Sequence, residues 1–495
     1  MNKDLDERLV PNGQYRDALN IQVSTSEGSD VGAVENILGN VKKNKRLSGG
    51  ATWSDNFGLT NAQCIGVVQD SQNEKIYWFI TSDSVDAIME YDQATELVVP
   101  VLVDTNNVLN FSASNYITGV NVLEGLLAWT DDLNEPRIIN IATFKAGTPT
   151  QGSALGLHTQ VYGRNFINTD ITVIKPKPKN APTFTASSSQ RTGNGSGINP
   201  VYATKDFTEL VSGEYVPLEV GTSTGLSTNT AHNWQVGDII ILTTQRVNED
   251  KFELKYQVRA EVTAGSGSSA TITILSLSQD MSKGAYEWTC LLEEDEPMFQ
   301  FLFPRFAYRW KYKNNEYSAF SPWTKAVFVA NKFKYESSAC HNLGMKNNLR
   351  KLVIDGFETS PADCDSIEIL YKDSSENIVY VVDEISASTT SFTVTSELIY
   401  KVVESNQMIR PYDNVPKKAK AQEVIGNRLV YGNYVQNYNV SGINTDLTLS
   451  VSSSDITEIT APEESIKSLR TYQVGIVYLD EYGRETPVFT NDTAT

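Results

Sequence analysis

The chain has 495 residues, with 41 Lys and Arg against 60 Asp and Glu, for a formal net charge of −19. That length exceeds one ordinary core and predicts about two to four domains. The acidic balance excludes a protein that grips nucleic acid, because phosphate is repelled, although a wall past which DNA slides has the same sign. Cys64, Cys290, Cys340 and Cys364 lie far apart with no CxxC, and His158, His232 and His341 are scattered, so neither a disulfide scaffold nor a zinc site is expected. No signal peptide is recognisable at the N-terminus, and no stretch approaches the roughly 18 uninterrupted apolar residues of a membrane span.

Residues 1–55 are punctuated by glycine and alternate in polarity without an obvious core. They read as an arm and first strands, packed either on a neighbouring molecule or back on the chain's own body. From residue 56 onward, alternation broken by turns dominates, as in IYWFIT (76–81), YQVRAEV (256–262), ATITILSLS (270–278) and SFTVTSELIY (391–400). Helical periodicity over a long window is almost absent, so the predicted fold class is all-β.

Three stretches, QNEKIYWFI (72–80), LEGLLAWTDD (123–132) and IGNRLVYGNY (425–434), share a polar turn followed by a short apolar strand with aromatics. They resemble middle strands of propeller blades and predict a β-propeller-like body over 56–162, resumed at 411–445. The run WTDDLNEPRIINI (129–141) places adjacent aspartates between two apolar segments. A calcium loop needs DxDxDG spacing, which is missing. An acid/base pair needs carboxylates facing a common substrate, whereas Asp131 and Asp132 are sequential and diverge. The favoured reading is a structural turn in which Asp131, Asp132 and Asn134 fold onto the backbone and Pro136 opens the next strand. No catalytic, metal-binding or cofactor-binding residues are assigned.

The segment KPKPKNAPTFTASSSQRTGNGSGINP (175–200) reads as a linker, and its GNGSG lacks the Lys-Ser/Thr of a phosphate loop. Short strands around the turn AGSGSS (264–269) suggest an inserted small β-barrel, so 163–300 is taken as linker plus barrel. FAYRWKYKNNEYSAFSP (306–322) and TYQVGIVYLDEYGRETP (471–487) form an internal repeat at a constant offset of 165, matching Asn315, Glu316, Tyr317, Ser321 and Pro322 with Asp480, Glu481, Tyr482, Thr486 and Pro487. With CDSIEILYKDSSENIVYVVDEI (364–385) they predict fibronectin-type sandwich modules, one at 301–410 and an incomplete one at 446–495. An incomplete module at that position suggests a polypeptide that continues.

Residues 6–40 carry Glu7-Arg8, Asn12-Gly13, Tyr15-Arg16, Ala18, Asn20, Glu27-Gly28, Val31-Gly32-Ala33, Asn36 and Gly39-Asn40. This pattern resembles the N-terminal region of the tail muzzle or nozzle (tail stabilisation) proteins of short-tailed, crAss-like bacteriophages, and the turn at 129–141 is similar to one in the same proteins. The resemblance implies a structural, non-enzymatic virion protein assembled in the host cytoplasm as a homo-hexamer, closing the distal end of the tail channel and releasing DNA at infection. It implies tail ring or adaptor proteins and tail fibres as neighbours, passage of genomic DNA without sequence-specific binding, and no membrane. Arg8, Tyr15, Arg16 and Asn20 become candidates for the assembly interface. The rival class is a phage tail adhesin or glycan-cleaving receptor protein, with Trp78, Trp129 and Trp323 as candidate sugar platforms. A secreted host adhesin is disfavoured by the absence of a recognisable signal peptide.

Overall fold

The computed structural model describes residues 5–12, 21–25, 32–36, 39, 59–150, 157–206, 208–211, 214–217, 219–247, 253–278, 285–331, 335–338, 340–342, 345–397, 401–426, 428–438 and 470–490. The fold is all-β, with three short α-helices among the described residues, at Ile141–Ala146, Asn168–Ile171 and Ser405–Met408. The chain divides into two compact units, one comprising Met1–Leu133, Ile139–Phe166 and Ala421–Val430, the other Asn134–Ile138, Ile167–Lys420 and Tyr431–Thr495.

In the first unit, β1 (Gln63–Asp70), β2 (Lys75–Thr81), β3 (Asp86–Asp92) and β4 (Leu97–Asp104) form an antiparallel meander in that order. The turn between β1 and β2 is set by Asp70, whose Oδ1 accepts from the amides of Gln72 and Asn73 at 3.1 and 3.2 Å. β4 is the last strand of its sheet, which is where Pro100 is tolerated, and a register shift lies opposite it between Ile88 and Met89. A second sheet is built from β5 (Gly119–Leu123), β6 (Leu126–Thr130) and β7 (Arg137–Asn140). The RIINI strand ends one residue early, because Asn140 caps the helix α1 (Ile141–Ala146), its side chain accepting from Thr143 N at 3.1 Å. Glu90 on β3 is fully buried and held by Lys75 of β2 at 3.3 Å and Lys145 of α1 at 2.5 Å, which ties the helix to the sheet. The late segment also reaches this unit: Gln422 Nε2 donates to Asn121 Oδ1 of β5 at 3.0 Å. Gly119 permits that approach, since a Cβ there would meet the Gln422 amide nitrogen at 2.7 Å.

The second unit contains a six-stranded sheet of β8 (Val201–Asp206), β9 (Ser223–Ser227), β10 (Ile239–Val247), β11 (Glu253–Ser266), β12 (Ser269–Leu277) and β13 (Ala285–Leu292), ordered β8-β13-β10-β11-β12-β9. It curls into a half-barrel, and a bridge from Ala203 to Thr228 joins its outermost strands at one end. Trp234, Ile240, Val258, Ile272 and Trp288 fill the interior. The GNGSG turn helps to close this module: Trp234 Nε1 donates to Gly195 O at 2.8 Å, and Gly195 sits at φ +83° so close to the indole that a Cβ would lie 2.7 Å from its nitrogen. The stretch expected as a linker also holds a strand, Thr183–Ser187, paired with Lys351–Asp355. Its TFTAS alternation was masked in the sequence by the Pro, Ser and Gly around it.

A further sheet comprises β14 (Pro304–Tyr312), β15 (Cys364–Asp373), β16 (Tyr380–Ser386) and β17 (Lys401–Val402). Phe306, Tyr308, Trp310 and Tyr312 of β14 share one core with Leu352, Ile354 and Val394 of the three-stranded sheet Thr183–Ser187, Lys351–Asp355 and Ser391–Val394. Of SFTVTSELIY, Ser391–Val394 make the expected strand and residues 395–397 do not, while 398–400 lie outside the described residues.

Among the described residues β14 has a regular neighbour, β15, on one side only. Along its other edge runs segment 316–327, which is not a strand. The amides of Ser318, Ser321 and Thr324 donate to the carbonyls of Trp310, Tyr308 and Phe306 at 2.9 Å each. Their hydroxyls accept in turn from the amides of Trp310, Tyr308 and Phe306 at 3.0 Å each. Three residues of the covering segment thus oppose two of β14, a bulge in every period, and each hydroxyl supplies the acceptor that a strand carbonyl would have offered.

The repeat copy repeats this clamp: Thr486 N donates to Tyr478 O, and Tyr478 N to Thr486 Oγ1, both at 3.0 Å. Matching the turns, Tyr312 N to Glu316 O and Asp480 N to Arg484 O, aligns Ser318 with Thr486, an offset of 168 rather than the expected 165. Sequence alignment follows Glu-Tyr and Ser/Thr-Pro, whereas the hydrogen bonds are shifted by one clamp period. We predict that Ser321→Ala, which strands the buried Tyr308 amide, costs about 1–2 kcal/mol. Amide exchange at Tyr308 should accelerate accordingly, with little change at the β15-facing amides.

Candidate functional site

Arg8 lies in a 3-10 turn, Glu7–Leu9, whose first residues are fixed by Asp6: its Oδ1 accepts from Arg8 N at 3.0 Å and from the guanidinium at 3.1 Å. The side-chain hydrogen bond lowers the Asp6 carboxyl and raises Arg8, but both groups are exposed. Tyr15, Arg16 and Asn20 lie outside the described residues.

In the turn at 131–136, Asp131 is buried and its Oδ1 accepts from Leu133 N at 3.0 Å, while Asp132 adopts φ +55°. Asp131 is thereby engaged by the backbone of its own turn. The residues that follow, Asn134–Ile138, belong to the second unit, where Val173 N donates to Pro136 O at 3.0 Å and Arg137 is bridged to Thr172.

Glu135 is the residue of this turn that reaches farthest. Its Oε1 accepts from Arg484 Nη2 at 3.0 Å, while Arg484 Nε bonds Asp480 Oδ2 at 2.6 Å. The guanidinium is 4% exposed. Tyr438 Oη donates to Asp480 Oδ2 at 2.6 Å, and Asp480 Oδ1 takes the amides of Tyr482 and Arg484 at 3.0 and 2.8 Å. Tyr482, 1% exposed, accepts from Asn168 Nδ2 at 3.1 Å. Burial pushes the Asp480 carboxyl up, but hydrogen bonds from Tyr438 and Arg484 outweigh it and leave the group below its ordinary value. For Arg484 burial likewise opposes the charge, and the bonds to Asp480 and Glu135 leave it raised.

Beside this cluster, Lys175 N donates to Asp413 Oδ2 at 2.9 Å and Lys175 Nζ lies 3.3 Å from Asp363. Lys177 Nζ donates to Pro411 O at 2.6 Å, Tyr312 Oη to Pro176 O at 2.8 Å, and Arg410 pairs with Asp413 at 3.5 Å. Gly483, at φ +83°, lets Lys177 pass, since a Cβ there would collide with the lysine side chain. An open cleft of about 360 Å³ is lined by Lys175, Glu316, Tyr317, Arg410 and Asp413, among others. Segments around residues 135, 175, 316, 363, 412 and 482 therefore meet at one charged junction inside the second unit.

The sequence reading of a turn at Asp131, Asp132, Asn134 and Pro136 left out Glu135, Lys175, Lys177, Tyr438 and Arg484. Lys175 and Lys177 were hidden in a run that reads as linker; the only signal for Arg484 was its place in the repeat. Among the described residues no group of three or more His, Cys, Asp or Glu is placed to hold a metal ion. His158 stacks on Phe166 at 4.5 Å and His232 on Trp234 at 4.3 Å. Of the proposed sugar platforms, Trp129 is fully buried, Trp78 packs on Ala87, Met89 and Val98, and Trp323 packs on Phe320 with Lys372 over its ring. No helix among the described residues is long and apolar enough to cross a membrane.

Replacing Arg484 by Met leaves Glu135 and Asp480 without their cation, and a loss of about 3 kcal/mol is expected in the stability of segment 470–490. Because the Asp480 carboxyl is lowered, its contribution holds above the ordinary carboxylate range and is lost as pH falls through the folded value. Limited proteolysis of that segment across pH, in the parent and the Arg484→Met chain, measures both effects.

No curated protein matches the chain. Residues 1–185 match the family model described as the Crassvirus muzzle protein. Over those residues the chain is thus a match to the muzzle protein family of crAss-like phages, the family that residues 6–40 resemble.

Proposed function

We propose that the chain is a structural virion protein that forms the distal muzzle of a phage tail, closing the channel to retain DNA and releasing it at infection. The family match over residues 1–185 carries this reading. In it the protein is a homo-hexameric ring with tail ring or adaptor proteins and tail fibres as neighbours. It is assembled in the host cytoplasm and acts without catalysis, and Arg8, Tyr15, Arg16 and Asn20 serve assembly. The first unit is the propeller-like body, and 163–410 is an excursion from it carrying the small barrel and the fibronectin-like modules. Return of Ala421–Val430 to the first unit supports the excursion.

DNA must pass this ring without being held. The net charge of −19 supports an acidic lumen, whose repulsion of phosphate reaches about 8–10 Å at physiological salt and keeps a duplex centred. A basic lumen would bind DNA through counterion release. Cryo-electron microscopy of intact particles tests the proposal: the protein should form a closed ring at the distal tail end, its lumen lined mainly by Asp and Glu. Density for the chain only on peripheral fibres, together with glycan binding by the purified protein, would favour the adhesin instead.

A further inference from the structure

The half-barrel carries a polar cleft on its outer face, where the bridge from Ala203 to Thr228 joins its outermost strands. Val201 and Ala203 of β8 share the core with Trp288 and Cys290 of β13, so the residues between them point outward. Tyr202 stands opposite Thr289 and Glu287 opposite Thr204, which makes Tyr202 and Glu287 diagonal neighbours on that outer face. Tyr202 is 53% exposed, a large ring left in water on a strand whose other face is core. Asn229, just past β9, grips its backbone twice: Asn229 N donates to Tyr202 O at 2.7 Å, and Asn229 Oδ1 accepts from Tyr202 N at 2.9 Å. With Oδ1 engaged, Nδ2 is the end of that carboxamide left to donate. The cleft measures about 480 Å³ and is lined by Tyr202, Ala203, Ser227, Thr228, Asn229 and Glu287. Thr228 is committed to its own turn, its Oγ1 donating to Thr230 O at 2.8 Å.

We propose that this cleft binds a neutral saccharide. A sugar presents an apolar face of C–H groups and a rim of hydroxyls, and each has its complement here. Tyr202 offers the flat apolar surface, which the fully buried Trp129 does not. Glu287 accepts from sugar hydroxyls, Asn229 Nδ2 donates to them, and the Ser227 hydroxyl does either. Among the described residues none that lines the cleft is a cation, and Glu287 repels anions, so acidic and phosphorylated sugars are disfavoured. A single carboxylate lines it, whereas glycoside hydrolysis generally uses two that flank the scissile bond, so the site binds without cleaving. The inference goes beyond the muzzle reading and does not depend on it: a ring protein at the distal end of a tail, with a saccharide cleft on its half-barrel, satisfies both.

The test is binding of the full chain to an immobilised panel of glucose, galactose, mannose and N-acetylglucosamine oligosaccharides, with sialylated and phosphorylated ones beside them. The parent should bind a neutral member, and the same sugar free in solution should compete. Tyr202→Ala should weaken that binding about tenfold, and Glu287→Gln by a smaller factor. Tyr202→Phe should retain it, since stacking needs no phenol oxygen. Both residues are exposed, so neither change removes core packing. No binding to any neutral member, preference for the acidic ones, or equal binding by the parent, Tyr202→Ala and Glu287→Gln chains overturns the proposal. Should Tyr202→Ala fail to fold, amide shifts of the unaltered chain on titration with the bound sugar decide: shifts centred on Tyr202, Asn229 and Glu287 uphold the proposal, and shifts centred elsewhere overturn it.

Discussion

A guanidinium removed from water must meet carboxylates with good geometry or it unfolds its surroundings, and Arg484 places that demand on the second unit. Its two partners are Asp480, four residues away, and Glu135, 349 residues away. Satisfying it fixes the C-terminal turn against the segment that follows WTDD and brings Tyr438, Tyr482 and Asn168 along. The lysines of the KPKPK run then find their acceptors on Asp363, Asp413 and Pro411. Within this unit the aromatic sheet is tied by Tyr312 and Asp363 to a junction whose members are mostly charged.

The second constraint is the open edge of β14. A long aromatic strand with unpaired backbone groups invites association, and regular proteins cover or interrupt such edges. Here the cover is Ser318, Ser321 and Thr324, each using both its amide and its hydroxyl on one residue of the strand. Pro322 follows the middle one, where a missing amide donor is harmless because donors on that segment are needed only once in three residues.

The strands and the fold class were legible because their signal is local. Alternation in KIYWFIT and SATITILSL survives any context, and the Asp131 turn follows from side chains that bond their own backbone. The internal repeat was legible as composition but not as register, since a clamp that recurs every three residues looks the same after a three-residue shift. The junction was illegible for a different reason. Nothing within reach of Glu135 in sequence announces Arg484, and Lys175 sits in a run whose Pro and Lys content is that of an exposed linker. TFTAS failed likewise, its alternation being too short against the surrounding Pro, Ser and Gly. Pairings across hundreds of residues are set by topology, which periodicity does not encode.

The three-against-two clamp also bears on how such a loop changes over generations. Removing one or two residues from an ordinary hairpin moves side chains to the wrong face, and selection discards the product. Removing three residues from the Ser318–Thr324 segment delivers another hydroxyl to the same amide. The two copies, matched at 165 by sequence and at 168 by hydrogen bonding, keep the same turn length in both matches, so they differ in which residue of the cover meets the strand and not in the number of residues between them. The same clamp chemistry thus serves at either register.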